Sequence, residues 1–206
     1  MVHGDDNGLV LPPRVAPIQL MIIPIQQKKP GVLEKAEAIM ADLKAQGIRV
    51  KLDDADKSPG WKFSEQEMRG IPLRLEIGPK DIENNQCVLV KRNDGTKMTV
   101  AIDENLGKMV SELLEQMHEE MLLKATQHRD ASTHEVKTYE EFKETLEKKG
   151  GYIKAMWCGD PECEAKIKEE TGATTRCMKD ELTPHSDTCV YCGKKAKHIV
   201  YFAKAY

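Results

Sequence analysis

Two pairs of cysteines constrain this chain more than any other feature of its 206 residues. Cys158 and Cys163 have four residues between them, and Cys189 and Cys192 form a Cys-x-x-Cys unit followed by Gly193. A closed structural zinc site needs four thiolate or imidazole ligands at tetrahedral corners, and two short pairs on separate turns supply them. A glycine after the second pair suits a knuckle, because it relieves crowding where the backbone turns back. The spacing therefore predicts one structural Zn²⁺ held by these four cysteines.

Other interpretations of the cysteines stay open at this point. Disulfides belong to secreted proteins, but no signal peptide opens this chain, so we expect a cytoplasmic protein with reduced thiols. A redox Cys-x-x-Cys would begin a helix, whereas the residues after Cys192 are typical of a strand. Cys177, His185 and His198 are rival ligands, although a role for Cys177 would break one of the two pairs.

Composition and charge narrow the class of protein. Hydrophobic residues make up 40% of the chain and charged residues 32%, as in soluble globular proteins. The longest apolar run, residues 18–25, is far too short to span a bilayer, so no membrane contact is expected. The net charge of -3 does not indicate a nucleic-acid-binding protein, and DNA is not an expected partner. Residues 57–100 nevertheless carry eight Lys and Arg against six Asp and Glu, which leaves room for a local anion-binding face.

Hydrophobic periodicity predicts one α/β domain over residues 18–128, with a mixed sheet of five strands and three helices. The first strand, helix and second strand have the length of a crossover between parallel strands. The sequence Asn93-Asp94-Gly95 predicts a hairpin turn between the last two strands. The predicted strands are 18–25, 48–52, 71–78, 86–92 and 96–102, and the predicted helices are 33–46, 59–69 and 103–128.

Residues 129–206 predict a small α+β zinc-binding domain. Thr138 and Glu141 have the spacing of a capping box at a helix start. So few large apolar side chains make a weak core, and a bound metal would supply the missing stability. The segments expected here are a connector over 129–137, strands over 151–157 and 198–206, and a helix over 161–172.

Three blocks of the sequence together resemble one family. Residues 1–19, "MVHGDDNGLVLPPRVAPIQ", are followed by "SPGWKFSEQEMRGIPLRLEIGPKDIE" at 58–83, and then by "CGDPECEAKIKEETGATTRC", "CVYCG" and the terminal "VYFAKAY". In this order they resemble prolyl-tRNA synthetases of the archaeal and eukaryotic type, a group that some bacteria also carry. The resemblance covers nearly the whole chain. It implies the end of a class II catalytic domain at 1–17, an anticodon-binding domain at 18–128 and a zinc domain at 129–206.

The family resemblance also implies an activity to which this chain contributes only a part. Full-length members attach proline to tRNA(Pro) with ATP, and the resemblance implies a catalytic domain upstream and a homodimer. The ATP- and proline-binding motifs would lie before Met1, so we expect the chain alone to be inactive and to bind no ATP. His3 and Asp5 would belong to the rim of the active site. The terminal Tyr206 would fold back towards the catalytic domain.

The resemblance further implies that the chain binds the anticodon stem-loop of tRNA(Pro). Proline anticodons contain two guanines, whose N1–H and N2–H₂ groups suit a carboxylate, while Arg or Lys suits O6 and the phosphates. A strand end near Gly78 is where we expect these groups. The alternative is that Arg74 and Glu76 are only the solvent face of that strand. The candidate anticodon-binding residues are Lys62, Phe63, Arg69, Arg74, Glu76 and Lys80.

Two rival functions share these residues. A stand-alone, zinc-stabilised RNA-binding or regulatory module would lack class II motifs in the upstream reading frame. A redox protein using Cys189 and Cys192 would form a titratable disulfide and bind no metal.

Overall fold

A computed structural model describes residues 3–178 and 183–205, which divide into a first compact unit up to Ala125 and a second from Thr126 onward. Within these described residues, no helix has both the length and the apolar character to cross a membrane. The strands are β1 (Leu20–Pro24), β2 (Val50–Leu52), β3 (Leu73–Ile77), β4 (Gln86–Lys91), β5 (Lys97–Ala101), β6 (Thr133–Glu135), β7 (Tyr152–Trp157), β8 (Ala173–Met178) and β9 (His198–Lys204). The helices are α1 (Val32–Ala45), α2 (Pro59–Met68), α3 (Pro79–Glu83), α4 (Leu106–Ala131), α5 (Tyr139–Lys148) and α6 (Pro161–Thr171).

The first unit is built on a five-stranded mixed sheet in the order β2-β1-β3-β4-β5. β1 runs parallel to β2 and to β3, and the β3–β4 and β4–β5 pairs are antiparallel. The predicted fold class and the parallel pairing of the first two strands are therefore confirmed. The parallel pair follows from α1, which is long enough to carry the chain back along the sheet.

The two faces of this sheet differ, and the difference creates a site. Leu73, Leu75 and Ile77 of β3 enter the main core against α1 and α4. Because side chains alternate along a strand, Arg74 and Glu76 lie on the opposite face. On that second face α2 covers β1, where Phe63 packs against a small cluster of buried residues. On this second face β3 carries Arg74 and Glu76, and their partners on β4 are Val90 and Val88.

Two details of the first unit differ from the prediction. A short fourth helix, α3, begins after Gly78, whose backbone N–H donates to the Asp81 carboxylate at 2.8 Å. It has only five residues, too few to show a helical period. The last helix begins at Leu106 instead of residue 103, because Asp103 accepts the backbone N–H of Asn105 at 2.8 Å and forms a turn.

The second unit is a four-stranded sheet in the order β6-β7-β9-β8, with helices on one face. Phe142 and Leu146 of α5 and Ile167 of α6 share a core cluster with Ile153 and Phe202 of the sheet. The predicted capping box starts α5. Thr138 Oγ1 accepts the Glu141 N–H at 3.2 Å, and the Glu141 carboxylate accepts the Thr138 N–H at 3.2 Å.

The predicted connector over 129–137 was wrong in part, because it contains the last turn of α4 and the strand β6. β6 has three residues and pairs in parallel with β7, so it is too short to show alternation. β8 was also not predicted. Ala173 is its only fully buried residue among six, so its sequence lacks the apolar repeat of a strand.

Residues 9–11 lie against the end of α2, and a glycine makes their close approach feasible. Leu9 N donates to Met68 O and Leu11 N donates to Gly70 O, both at 3.1 Å. Gly70 has a φ of 71°, and an added Cβ would lie 2.7 Å from Leu9. Gly95 in the hairpin has a φ of 74° but no atom within 4 Å of such a Cβ.

Gly70→Ala should therefore be more harmful than Gly95→Ala. Both variants suffer the left-handed backbone penalty of about 1–2 kcal/mol, but only Gly70→Ala must also displace residues 9–11. Hydrogen-exchange mass spectrometry should show lost protection in peptides covering residues 5–16 for Gly70→Ala alone. Equal loss in the two variants would contradict this account.

Candidate functional site

The four predicted cysteines converge in the second unit. Cys158 follows β7, Cys163 lies in the first turns of α6, and Cys189 and Cys192 lie in a turn before β9. Their Sγ atoms all lie within 4.8 Å of one another, with 3.7 Å from Cys158 to Cys163 and 3.8 Å from Cys158 to Cys192. Tetrahedral Zn–S bonds of about 2.3 Å would separate the sulfurs by about 3.8 Å. The cluster can therefore hold a metal ion of this kind.

Local backbone structure brings the second pair to the cluster. Cys189 N donates to Lys194 O at 2.7 Å, and Gly193 N donates to Cys189 O at 3.0 Å, which closes a tight turn. Gly193 has a φ of 69°, a value that glycine adopts without strain. On the other side, Asp160 caps α6 by accepting the Glu162 N–H at 3.0 Å and so orients Cys163. The knuckle expected from the sequence has this geometry.

Burial makes two of these thiols, Cys163 and Cys189, costly to ionise without a cation. Burial, followed by hydrogen bonds from Cys192 and Cys158, raises the pKa of Cys163, and burial raises that of Cys189. Burial also opposes ionisation of Cys192, but the backbone amide of Lys194 and the neighbouring thiols lower its pKa. A bound cation would offset the cost of burying several thiolates together.

The rival ligands lie outside the cluster. Cys177 is exposed on β8, and all six cysteines of the chain are unpaired thiols. His185 Nε2 lies 3.1 Å from the backbone oxygen of Val136. The His198 ring lies beside Trp157, with 6.1 Å between the ring centroids. Among the described residues, the metal-ligand group therefore contains the two cysteine pairs and none of these three.

A cleft of about 550 Å³ opens on the second face of the first unit's sheet, and we call it the α2 cleft. It lies between α2, the strand β3 and the β4–β5 hairpin. Polar side chains dominate its walls, as expected where α2 leaves the sheet uncovered. Those used below are Asp5, Phe63, Gln66, Glu67, Arg74, Lys91, Arg92, Asn93 and Lys97.

Arg74 presents a flat cation beside an aromatic ring in this cleft. Its guanidinium carbon lies 4.2 Å from the centre of the Phe63 ring. Arg74 Nη1 donates to Glu67 at 3.0 Å and Nε donates to Glu76 at 2.9 Å. The Arg74 side chain is only 8% exposed, so the alternative of a solvent-facing residue is wrong for it. The two carboxylates hold the cation in place beside the Phe63 ring.

Two buried oxygens near this stack lack hydrogen-bond donors. Gln66 Nε2 donates to Asp53 at 3.1 Å and Asn93 Nδ2 donates to Glu120 at 2.9 Å, but neither amide oxygen has a partner among the described residues. Gln66 is only 3% exposed. An unsatisfied buried acceptor costs about 1–3 kcal/mol, and a ligand N–H group can recover that cost. The α2 cleft is therefore suited to a ligand that donates hydrogen bonds.

Cations line the hairpin side of the cleft. Burial lowers the pKa of Lys91, but bonds to Glu120 at 2.7 Å and Asp94 at 3.0 Å outweigh it, and the net pKa is raised. Arg92 donates to both oxygens of Asp5 at 2.6 Å and to the Glu67 backbone oxygen at 3.0 Å. These cations are neutralised within the protein. Lys97 is exposed at the rim with no ion pair among the described residues, so it can meet an anion.

The structure brings only two of the six predicted anticodon-binding residues, Phe63 and Arg74, into this cleft. The prediction for Lys62 as a phosphate contact was wrong. Its side chain is 2% exposed, and Nζ donates to Asp53 O at 2.7 Å and to Gln27 Oε1 at 3.0 Å. A cation held in this way is not available at the surface.

The other predicted residues lie away from the cleft walls. Arg69 is exposed at the end of α2, 3.8 Å from Glu65, and Lys80 is exposed on α3. Glu76 is engaged by Arg74 behind the stack. Their roles in anticodon binding stay predictions, as does the place of His3 and Asp5 at an active-site rim. His3 lies partly buried in a turn, and Tyr206 falls outside the described residues.

Gln66, Glu67 and Asn93 were missed by sequence reasoning. Gln66 and Glu67 lie three and four residues after Phe63, which puts all three on one side of a helix, so their spacing was an available signal. Asn93 was interpreted only as a turn residue. Its approach to Glu120 joins residues 27 positions apart and has no local signature.

Loss of one cluster ligand should unfold the second unit selectively. Cys192→Ser removes a ligand and should reduce metal content from about one ion per chain to near zero. Hydrogen exchange should then accelerate over residues 139–206 and stay unchanged over 19–112. Cys177→Ser is the matched control and should retain both metal and protection. Full protection in metal-free Cys192→Ser protein would refute the dependence.

The Asp5–Arg92 pair should titrate at low pH. The hydrogen bonds from Arg92 lower the pKa of Asp5 from 3.8 to about 2. The pair therefore stabilises the fold fully above about pH 4, and this contribution is lost as the pH falls towards 2. Carbon NMR of the Asp5 carboxyl should give a midpoint near 2, and Arg92→Gln should return it towards 3.8. An unchanged midpoint in Arg92→Gln would show that another group holds Asp5.

Comparison with known proteins gives two matches within the chain. Residues 19–112 match the family described as anticodon binding domain, and residues 139–206 match the family described as prolyl-tRNA synthetase, C-terminal. The first match contains the α2 cleft residues of α2, β3 and the β4–β5 hairpin, and the second contains the cysteine cluster.

Relatives that match over the whole chain support the same family. The proline–tRNA ligases of Lachnospira eligens, Lachnoclostridium phytofermentans and Clostridium botulinum (strain Loch Maree / Type A3) are each 58% identical over all 206 residues. The chain spans 43% of the length of each of these relatives. With the two domain matches, this similarity shows that the chain belongs to the prolyl-tRNA synthetase family, of which it carries the anticodon-binding and C-terminal domains.

Proposed function

We propose that this chain is the anticodon-reading C-terminal part of a proline–tRNA ligase, whose full-length form attaches proline to tRNA(Pro) with ATP. The 58% identity to proline–tRNA ligases over the whole chain supports this assignment. The observation that carries the role of this part is the α2 cleft, where an Arg74–Phe63 stack lies beside two buried acceptors without partners. A stand-alone RNA-binding module has no comparable support.

A guanine from the anticodon fits the chemistry of this cleft. Unpaired bases are recognised by stacking on aromatic rings or guanidinium planes and by hydrogen bonds to their edges. Arg74 and Phe63 provide the stack. The N1–H and N2–H₂ donors of guanine match the Glu67 carboxylate and the amide oxygens of Gln66 and Asn93. Lys97 at the rim is placed to meet a phosphate.

The cysteine cluster has a structural role in this proposal. Zn²⁺ would be held by Cys158, Cys163, Cys189 and Cys192, since four thiolates at these separations suit it. Four protein ligands fill the tetrahedral positions and leave none for a reacting water. The ion would contribute folding free energy to the second unit instead of chemistry.

The remaining partners belong to the full-length enzyme. A catalytic domain upstream would bind ATP and proline, with residues 1–17 as its closing segment. We also propose a homodimer and a cytoplasmic location, where reduced cysteines can bind metal.

The guanine-reading role of Glu67 can be tested with an anticodon stem-loop of tRNA(Pro) in a titration with the 206-residue chain. Replacing an anticodon guanosine by inosine removes only the N2 amino group. This change should weaken binding to the wild-type chain about tenfold, because a hydrogen bond to a charged group is lost. Glu67→Gln should bind the guanosine loop more weakly and lose most of its sensitivity to inosine.

Matched variants show whether such effects belong to the cleft. Glu65→Gln changes the charge two residues away, outside the cleft, and should keep the wild-type response to inosine. Phe63→Leu should weaken both loops equally through lost stacking, whereas Trp61→Leu, outside the cleft, should not. If Glu67→Gln retained the full preference for guanosine, Glu67 would not be the reader.

A further inference from the structure

The second unit has a cleft that no step above uses. Antiparallel pairing puts Lys154 opposite Tyr201 and Tyr201 opposite Cys177, so these side chains share one face of the sheet. Tyr152 precedes Lys154 by two residues and lies on the same face. The helices α5 and α6 cover the other face, through Ile153 and its neighbours. On the face of Lys154 and Tyr201, Met156 and Ile199 are buried, but Tyr152 is 42% exposed and presents an aromatic ring to solvent at its end.

Irregular backbone places an arginine beside these rings. β8 pairs Thr175 with Phe202 and Cys177 with Tyr201, so Arg176 is the extra residue of a β-bulge. Bulges redirect side chains and occur often next to functional sites. Arg176 Nη2 donates to the Ala203 backbone oxygen at 3.3 Å, a bond that leaves its other N–H groups for a ligand.

A second arginine, Arg129, lines the same cleft. Arg129 lies in the last turn of α4, where its backbone oxygen accepts a bond from Thr133 Oγ1 at 2.7 Å. Its guanidinium contacts Asp130 at 2.7 Å. Arg129, Thr133, Tyr152, Arg176 and Tyr201 together line a cleft of about 370 Å³, which we call the sheet cleft. Two arginines against one aspartate give its walls a net positive charge.

We propose that the sheet cleft binds an unpaired nucleotide of an RNA strand. Tyrosine rings on an open sheet face stack bases, and each base stacks without regard to its identity. The guanidinium groups of Arg129 and Arg176 would bind the flanking phosphates. Lys154 is engaged by Glu135 at 2.9 Å and is not needed for this contact. A free mononucleotide shares the chemistry, but two arginines on different elements, α4 and β8, suit a strand with consecutive phosphates.

This site goes beyond the proposed anticodon reading, because it lies in a different unit and predicts no base preference. A dye-labelled hexamer of uridine, which contains no guanine, separates the two. Fluorescence anisotropy with the 206-residue chain should detect binding, and a hexamer carrying 4-thiouridine should crosslink to peptides containing Tyr152 or Tyr201. Failure of anticodon discrimination at the α2 cleft would leave these results unaffected.

Two variants separate the contribution of base stacking to hexamer affinity from the contribution of charge. Tyr152→Ala should weaken hexamer binding about tenfold without changing its dependence on salt, and Tyr152→Phe should retain most of the affinity. Arg176→Gln should reduce the slope of log affinity against log salt by about 0.7, the value for one phosphate of a single strand. Lys166→Gln removes an exposed cation from α6 on the covered side and should change neither quantity.

Three results would overturn the assignment. One is that Tyr152→Ala and Arg176→Gln both keep the wild-type affinity and salt slope while their circular dichroism spectra are unchanged. Another is crosslinking confined to peptides of the first unit. The third is uridine monophosphate that binds as tightly as the hexamer, which would make the cleft a mononucleotide site.

Discussion

The close approach of four sulfur atoms is the constraint on which the second unit depends. Its apolar core is small, and Cys158, Cys163 and Cys189 form a separate buried cluster that packs against Trp157 and Tyr191. Burial opposes the ionisation of Cys163 and Cys189, and a bound metal would offset that cost and stabilise the fold. Cys158 directly follows β7 and the second cysteine pair precedes β9, so the cluster joins the ends of the two central strands of the sheet.

The first unit obtains its site from incomplete coverage of a sheet. One face of β3 is buried by α1 and α4, and the other carries Arg74 and Glu76 because side chains alternate. α2 covers β1 and stops there, so polar groups between α2 and the hairpin satisfy one another where they can. The oxygens of Gln66 and Asn93 remain without donors. Such orphan acceptors are tolerated where a ligand supplies what the fold does not.

Several differences between the sequence interpretation and the structure share one cause, which is that burial depends on distant parts of the chain. Lys62 has the sequence context of a surface cation, yet Gln27 and the backbone of Asp53 enclose its ammonium group. Arg74 alternates with leucines as a solvent-facing residue would, yet Phe63 and Glu67 cover it. β8 lacks an apolar repeat, since Ala173 is its only fully buried residue, and its pairing with β9 includes a bulge at Arg176. None of these neighbours is visible in a local window.

The sequence by itself determined the elements whose signals are local or periodic: the five-stranded mixed sheet, the capping box at Thr138, and the cysteine spacing that permits a four-thiol cluster. Alternation, capping and ligand spacing act over a few residues, so they can be read from the chain. Tertiary structure alone decided which polar groups face a cleft and which already have hydrogen-bond partners inside the protein. That choice depends on packing between segments far apart in sequence, such as the meeting of Asn93 with Glu120, because only packing sets which hydrogen bonds are already made.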